Sequence, residues 1–239
     1  MKDLKEKVAY ITGGSKGIGL GIAKKLAEQG VKVAVSGRTY KDVDAAAKEI
    51  SADDNSVLAV ESDVSKCENE KAAVAKIIEK FGRLDIVIAN AGVGNFAPVD
   101  ELTEEQWHQM IDTNLSGVFH TLKASVEELK KTKGYYITIA SLAGTNFFEK
   151  GAGYNASKFG VVGFTQAAML DLRPYDIKVT TIMPGSVSTH FNHHTPSEDD
   201  TWKIQPEDIG QMIVDLLHMH PRTLPSKIEV RPAQTKSKQ

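Results

Sequence analysis

A chain of 239 residues, 41% hydrophobic and 25% charged, can bury a full core as one large domain. Its 31 acidic and 29 basic residues leave a net charge of −2, which excludes a bulk electrostatic drive toward nucleic acid or anionic membranes. The single cysteine, Cys67, excludes an internal disulfide framework and reads as an ordinary thiol. No apolar run approaches the roughly 20 residues that span a bilayer. The charged start, Met1 to Lys7, has no apolar segment behind it, so a cytoplasmic protein is expected.

Short β-branched runs at 8–12, 32–36, 57–61, 85–90, 135–141 and 178–183 read as strands, with 228–230 as a seventh. Most are apolar on both faces, as strands covered by helices on both sides are. Helix-period stretches lie between them at 18–29, 40–51, 68–81, 104–131, 154–172 and 206–217. Gly30 is placed to end the first of these helices, and Pro174 cannot continue the fifth. The alternation implies an α/β fold of the Rossmann type: a doubly wound, three-layer α/β/α domain around a parallel sheet of about seven strands. No repeat or linker divides the chain, so 1–239 is expected to be a single domain. Residues 192–200 are polar, include Pro196 and read as a surface loop, while 235–239 read as a disordered tail.

The first strand runs into Thr12-Gly13-Gly14-Ser15-Lys16-Gly17-Ile18-Gly19 and then a helix. Glycines let a backbone turn tightly against a pyrophosphate, whose charge then sits on the helix N-terminus. The spacing is Gly-x3-Gly-x-Gly. It is neither Gly-x-Gly-x-x-Gly nor a Walker loop, which would end in Gly-Lys-Ser/Thr. A glycine-rich turn with no ligand is the plainer alternative. At this motif the chain resembles the short-chain dehydrogenase/reductase family, whose cofactor turn is Thr-Gly-x3-Gly-x-Gly.

Further matches follow in family order. Asn90-Ala91-Gly92 closes the fourth strand, Asn114 opens Asn-Leu-Ser-Gly-Val-Phe, Ser141 closes the fifth strand, and Pro184-Gly185 follows the sixth. Tyr154 and Lys158 stand four apart in a helical stretch and so share one face. Singly, these could be a half-buried aromatic, a surface lysine, a strand-end hydroxyl and a helix amide. Together they match the family's catalytic set. The chemistry explains the residue types. Hydride delivery to a carbonyl requires a proton for the developing alkoxide. Tyrosine, with a reference pKa near 10, is made a better acid by a nearby ammonium.

The resemblance implies Tyr154 as the acid/base. It implies Lys158 as the ammonium that tunes Tyr154 and binds the nicotinamide ribose. Ser141 would orient the substrate oxygen, and Asn114 would hold a water that relays protons to Lys158. Gly13, Ser15, Lys16, Gly17, Ile18 and Gly19 would hold the pyrophosphate and Asp63 and Val64 the adenine, and Asn90, Ala91 and Gly92, in the turn after the fourth strand, would also bind the cofactor. Pro184, Gly185, Val187 and Thr189 would meet the nicotinamide, with Tyr154 and Lys158 also touching the cofactor. The acid that NAD users carry after the second strand is replaced by Gly37, and Arg38 follows. Arg38 and Lys16 facing a 2′-phosphate point to NADP(H), although both could be solvated cations.

The family builds a substrate lid after Pro184-Gly185, here about 186–204, with Phe191 and Trp202 as apolar cover. Val93, Gly94, Asn95, Phe96, Phe147 and Phe148 come from loops at the same sheet edge, so a ketone with apolar substituents is expected as the small-molecule substrate. The family mechanism needs no metal, and His190, His193 and His194 lack fixed ligand spacing. The run Glu198-Asp199-Asp200 reads as solvated loop or a helix start. Lys130, Lys131, Lys133 and Arg173 could meet an acidic carrier protein, as in 3-oxoacyl-[acyl-carrier-protein] reductases, or could be solvated helix ends. The C-terminal Leu224-Pro225-Ser226-Lys227-Ile228 lacks that subgroup's Gly-Gly pair. The expected activity is NADPH-dependent reduction of a ketone. A 3-oxoacyl-carrier reductase and an NADP-binding sensor without turnover are the alternatives. A homodimer or homotetramer built on 104–131 and 154–172 is expected by family analogy, with no nucleic-acid or membrane partner.

Overall fold

Successive side chains of a strand point to opposite faces, so a strand buried on both faces must be apolar throughout. The computed structural model, which describes residues 3–53 and 55–235, has this arrangement at its centre. Strands β1 (Val8–Thr12), β2 (Lys32–Gly37), β3 (Val57–Glu61), β4 (Ile86–Ala89), β5 (Tyr135–Ile139), β6 (Lys178–Pro184) and β7 (Lys227–Val230) form one sheet in the order β3-β2-β1-β4-β5-β6-β7. Every neighbouring pair is parallel. Ala9, Ile11, Val33, Val35, Ile86, Ile88 and Ile137 feed one apolar core. Val8, Tyr10, Ala34, Val87, Tyr136 and Val179 feed the other, on the opposite face.

Helices α1 (Gly17–Glu28), α2 (Tyr40–Ile50) and α7 (Pro206–His218) contribute to the first core. Helices α3 (Cys67–Phe81), α5 (Gly117–Thr132) and α6 (Ala152–Leu172) close the second. The chain runs outward from β1 to β3 and then crosses back to β4, beside β1. That reversal leaves a crevice above the carboxyl ends of β1 and β4, where open α/β sheets bind their ligands. Gly30, at φ +74°, ends α1 as its position suggested.

One expected helix is not continuous. The stretch 104–131 divides into α4 (Glu104–Met110), a π-helical turn (Ile111–Ser116) and α5. Thr103 starts α4 with a capping box to Gln106. The π turn carries Asn114 into the interior, where it is fully buried. Inserting one residue into a helix leaves the apolar spacing on both sides nearly unchanged, so periodicity gives no sign of it.

Two buried carboxylates brace the scaffold. Glu70 of α3 accepts from Ser62 Oγ (2.6 Å), Thr121 Oγ1 (2.8 Å) and Tyr10 Oη (3.0 Å), joining β1, α5 and the turn after β3. Asp85 accepts from Arg83 Nε (2.8 Å) and the Val8 amide (3.0 Å), fixing where β1 and β4 begin. At the open edge, β7 alternates exposed Lys227 and Glu229 with half-buried Ile228 and Val230. Charges there discourage further strand pairing. The tail expected at 235–239 lies, beyond Thr235, outside the described residues.

Candidate active site

The crevice is tied together from both sides. Thr12 Oγ1 accepts from the amides of Asn90 (3.0 Å) and Ala91 (3.1 Å). Asn90 Nδ2 donates back to Thr12 O (2.9 Å) and Gly13 O (3.1 Å). The turn between β1 and α1 is too tight for side chains. Gly13 has φ +63°, and a β-carbon there would lie 2.9 Å from Ala91 Cα; at Gly19 it would lie 2.4 Å from Gly13 O. Lys16 precedes α1, whose first turn has no side-chain cap and no acidic residue. Its amides therefore remain available to an anion. Ser15, Gly17 and Ile18 complete the turn. Thr189 packs against Gly17, so the phosphate turn and the base of the lid meet.

The remaining cofactor candidates lie along the same sheet edge. Arg38 is exposed just beyond β2. Asp63 caps its own turn by accepting from the Ser65 amide (3.0 Å), and the Val64 carbonyl is bonded to the His120 ring (2.9 Å). Arg38 and Asp63 share a cavity of about 440 Å³ with Tyr40, Asn69 and Lys76, a cation not singled out from the sequence. Gly185 donates to Val230 O (2.8 Å), and Val187 bridges to Ile204 at the foot of the lid.

The four catalytic candidates converge above β4 and β5. Lys158 is buried, and its Nζ donates to Ile139 O (3.1 Å) and lies 5.7 Å from the Tyr154 ring centre. Asn114 pins the loop after β4, donating from Nδ2 to Val93 O (2.9 Å) and accepting at Oδ1 from the Val93 amide (2.8 Å). At Gly92 a β-carbon would lie 3.3 Å from Asn114 Oδ1 and 3.6 Å from Lys158 Nζ. Ser141 Oγ accepts from the Ala143 amide (3.1 Å). Burial pushes the Tyr154 phenol up to about 12, against a smaller downward pull from its hydrogen bond with Ser141. Burial also lowers Lys158 to about 8. The tuning expected of the ammonium is therefore outweighed, in the protein alone, by desolvation of both groups.

Two positioning residues were missed in the sequence. Ser157 Oγ accepts from Asn114 Nδ2 (2.9 Å) and donates to Tyr154 O (2.8 Å), linking the π turn to α6. Asn155 Nδ2 donates to Ala143 O (2.6 Å) and Asn146 O (2.7 Å), holding the loop that carries Ser141. Both lie inside the Tyr-x3-Lys motif, but nothing local distinguishes them from ordinary helix polar residues.

Two expectations about the surroundings need correction. Phe147 does not line the crevice: it is 82% exposed and stacks flat on Phe159 of α6, while Phe148 turns inward. The run 198–200 forms a short 3-10 turn begun by Ser197, in line with its reading as a helix start, but it is not uniformly solvated. Glu198 and Asp199 are exposed, but Asp200 is buried and accepts from Lys203 Nζ (2.6 Å), Ser188 Oγ (3.3 Å) and the His194 ring. The lid segment 192–200 is thus a surface loop anchored at Asp200. Lys130, Lys131 and Lys133 pair with Glu127, Glu128 and Asp176, which locally neutralises the basic patch. The side chain of His193 lies outside the described residues. Among the described residues, no group of three His, Cys, Asp or Glu could hold a metal, and no helix is long and apolar enough to cross a membrane.

Lys203 and His194 hold the Asp200 carboxyl well below the usual carboxylate range. A depressed carboxylate contributes above its unfolded pKa, and the contribution is lost as pH falls through the folded one. The anchor therefore persists from neutral into mildly acidic solution. Asp200→Asn should speed amide exchange across 189–203 by about ten-fold or more, because the bonds to Lys203 and His194 both lose the carboxylate charge. Exchange unchanged there, measured by mass spectrometry, would show that the lid does not depend on this anchor.

Comparisons with known proteins agree with this geometry. The family model described as short chain dehydrogenase matches residues 7–200. An uncharacterized oxidoreductase of Staphylococcus saprophyticus is 36% identical over 240 residues, covering 97% of this chain and all of that protein. The structure of an alcohol dehydrogenase from Thermococcus sibiricus, complexed with 5-hydroxy-NADP, superposes with TM-score 0.90 at 31% identity, covering 98% of this chain and 99% of that one. A 3-ketoacyl-(acyl-carrier-protein) reductase from Brucella melitensis, complexed with NADH, gives TM-score 0.87 at 27% identity over 97% and 99% of the two chains. With the glycine turn, the parallel sheet and the Tyr154–Lys158 helix all in place, the chain belongs to the short-chain dehydrogenase family of oxidoreductases.

Proposed function

We propose that this protein is an NADPH-dependent reductase of ketones with apolar substituents. One observation carries the reading: Asn114 from the π turn, Ser141 from the loop after β5, and Tyr154 and Lys158 from α6 meet beside the sheet's switch point, walled by aromatic rings. The residues present fit a dinucleotide, because the glycine turn is side-chain-free and the N-terminus of α1 is uncapped. Lys16 and Arg38 are exposed beside it, and neither forms an ion pair among the described residues. When bound, the nicotinamide supplies the hydride. Tyr154 holds the proton for the substrate oxygen, Ser141 orients that oxygen, and Lys158 places a positive charge where the phenolate develops. Asn114 fixes the loop at Gly92 against Lys158, so that the ammonium keeps its place.

A panel of ketones with NADPH and NADH in parallel, with Tyr154→Phe as blank, tests this reading. Turnover with NADPH, absent in the blank, is expected. Tight NADPH binding without turnover of any carbonyl would favour the sensor. Activity confined to carrier-bound 3-oxoacyl groups would favour the carrier-protein reductase, against which the ion-paired Lys130, Lys131 and Lys133 weigh.

The active form is a homodimer. The outward stripe of α6, at Ala152, Ala156, Phe159, Gly163, Ala167 and Leu170, is exposed yet contains no polar side chain. A β-carbon on Gly163 would meet nothing within 4 Å, so a second helix can approach closely there. Placing a charge on that face, as in Leu170→Glu, should convert the dimer to monomer in light scattering. A wild-type monomer at micromolar concentration would overturn this assignment.

A further inference from the structure

The Tyr154 ring stands inside a partial box of three phenylalanines, each delivered by a different loop. Phe96 follows β4, Phe148 follows β5, and Phe191 belongs to the lid. Phe96 meets Tyr154 edge to face, with centroids 5.4 Å apart and planes at 87°. Phe191 lies 5.6 Å away at 54°, and Phe148 6.4 Å away at 61°. Phe96 also contacts Phe148 (5.5 Å, 79°) and Phe191 (6.3 Å, 57°). Two walls are tied together, because the Ala97 amide donates to Lys150 O (3.1 Å). The third closes over Gly94, where a β-carbon would lie 2.6 Å from Phe191 Cζ.

Phe96, Phe148 and Phe191 are 37%, 44% and 37% exposed, yet together they shield a tyrosine that is only 9% exposed. Three large rings packed on a buried acid turn their outer edges and faces to water, where a further apolar ring can pack against them. Tilted rings with unmatched edges and faces favour a further aromatic ring over a saturated one of equal size, through edge-to-face contact. The charge pattern narrows the choice further. Lys158 makes the one cation–π contact with these four rings among the described residues, and it is buried, with its Nζ on the Ile139 carbonyl. A carboxylate entering the box would be desolvated without a partner.

We propose that the substrate is an uncharged aryl ketone, its ring seated among Phe96, Phe148 and Phe191 and its carbonyl oxygen toward Tyr154 and Ser141, with Phe191 as the lid residue that selects it. This rests on the carbonyl-reductase reading. The carbonyl π bond breaks, the carbon gains a hydride from the reduced nicotinamide, and the oxygen gains the Tyr154 proton. The products are the secondary alcohol and the oxidised nicotinamide, and Tyr154 is reprotonated from solvent.

Three ketones separate ring type from charge: acetophenone, cyclohexyl methyl ketone and benzoylformate. With NADPH, kcat/KM for acetophenone should exceed that for cyclohexyl methyl ketone by about ten-fold, the scale of two or three edge contacts, and that for benzoylformate by about a hundred-fold. Phe191→Leu and Phe96→Leu should each bring the first ratio to about two or below. A wild-type ratio at or below one, or a ratio unmoved in both variants, overturns the proposal. Absence of turnover with every ketone counts against the reductase reading instead. Calorimetric titration of NADP+-saturated protein then decides the box. Tighter binding of acetophenone, lost in Phe191→Leu, supports it, and equal binding of the two neutral ketones overturns it.

Discussion

Tyr154→Phe should lower kcat for ketone reduction by about a thousand-fold, within the range that a positioned general acid supplies. The ring is retained, so its contacts with Phe96 and Phe191 persist and the fold should survive. The loss of one buried hydrogen bond with Ser141 costs only about 1 kcal/mol of stability. Binding of NADPH should change little, which separates chemistry from binding. The pH profile adds a second readout. Burial holds Tyr154 near 12, so the wild-type acid keeps its proton throughout the neutral range. Lys158, lowered to about 8, keeps its charge below that pH and loses it above. Reduction should therefore be flat near pH 6–7 and fall as pH rises past about 8. A variant that keeps a tenth or more of wild-type kcat, in stopped-flow measurements of NADPH oxidation, would remove Tyr154 from the role of acid.

The second large effect concerns the cofactor. Gly37→Asp combined with Arg38→Ile should move the NADPH-to-NADH ratio of kcat/KM by about a hundred-fold or more toward NADH. Arg38 loses a charge-assisted contact to the 2′-phosphate, and the new carboxylate repels that phosphate while accepting from the ribose hydroxyl of NADH. The site has nearly the space required. A β-carbon on Gly37 would lie 3.0 Å from Val43 Cγ2 and 3.5 Å from Ser15 Oγ, so a small shift of Val43 admits it. Arg38→Ile alone should give the smaller part of the change, by loss of attraction only. An unchanged ratio in the double variant would assign cofactor choice elsewhere, with Lys16 and Lys76 as the next cations to test.

Much of the fold was legible because its signals are local. β-Branched runs, most of them apolar on both faces, marked seven strands to within two residues at either end, since such runs have no stable place outside a covered sheet. Glycines at Gly13, Gly17 and Gly19 marked the turn because only they fit it. Tyr154 and Lys158 were placed on one helix face by their spacing alone. The short-chain dehydrogenase family follows from these motifs and from their order along the chain.

What the sequence determined by itself was therefore the sheet, the order of its elements and the presence of a nucleotide turn and a Tyr–Lys pair, each set by residues close together in the chain. Only the tertiary structure decided which side chains the crevice receives. Asn114 is turned inward by a π turn that periodicity does not register. Phe148 enters the crevice while its neighbour Phe147 stacks outside on α6, and Asp200 is buried while Glu198 and Asp199 stay in water. Desolvation, not the expected ammonium, dominates the acidity of Tyr154. Except at Asp200, whose partners Ser188, His194 and Lys203 belong to its own lid segment, the deciding partners lie in other elements, and burial, direction and acidity are properties of those contacts rather than of the residue that shows them.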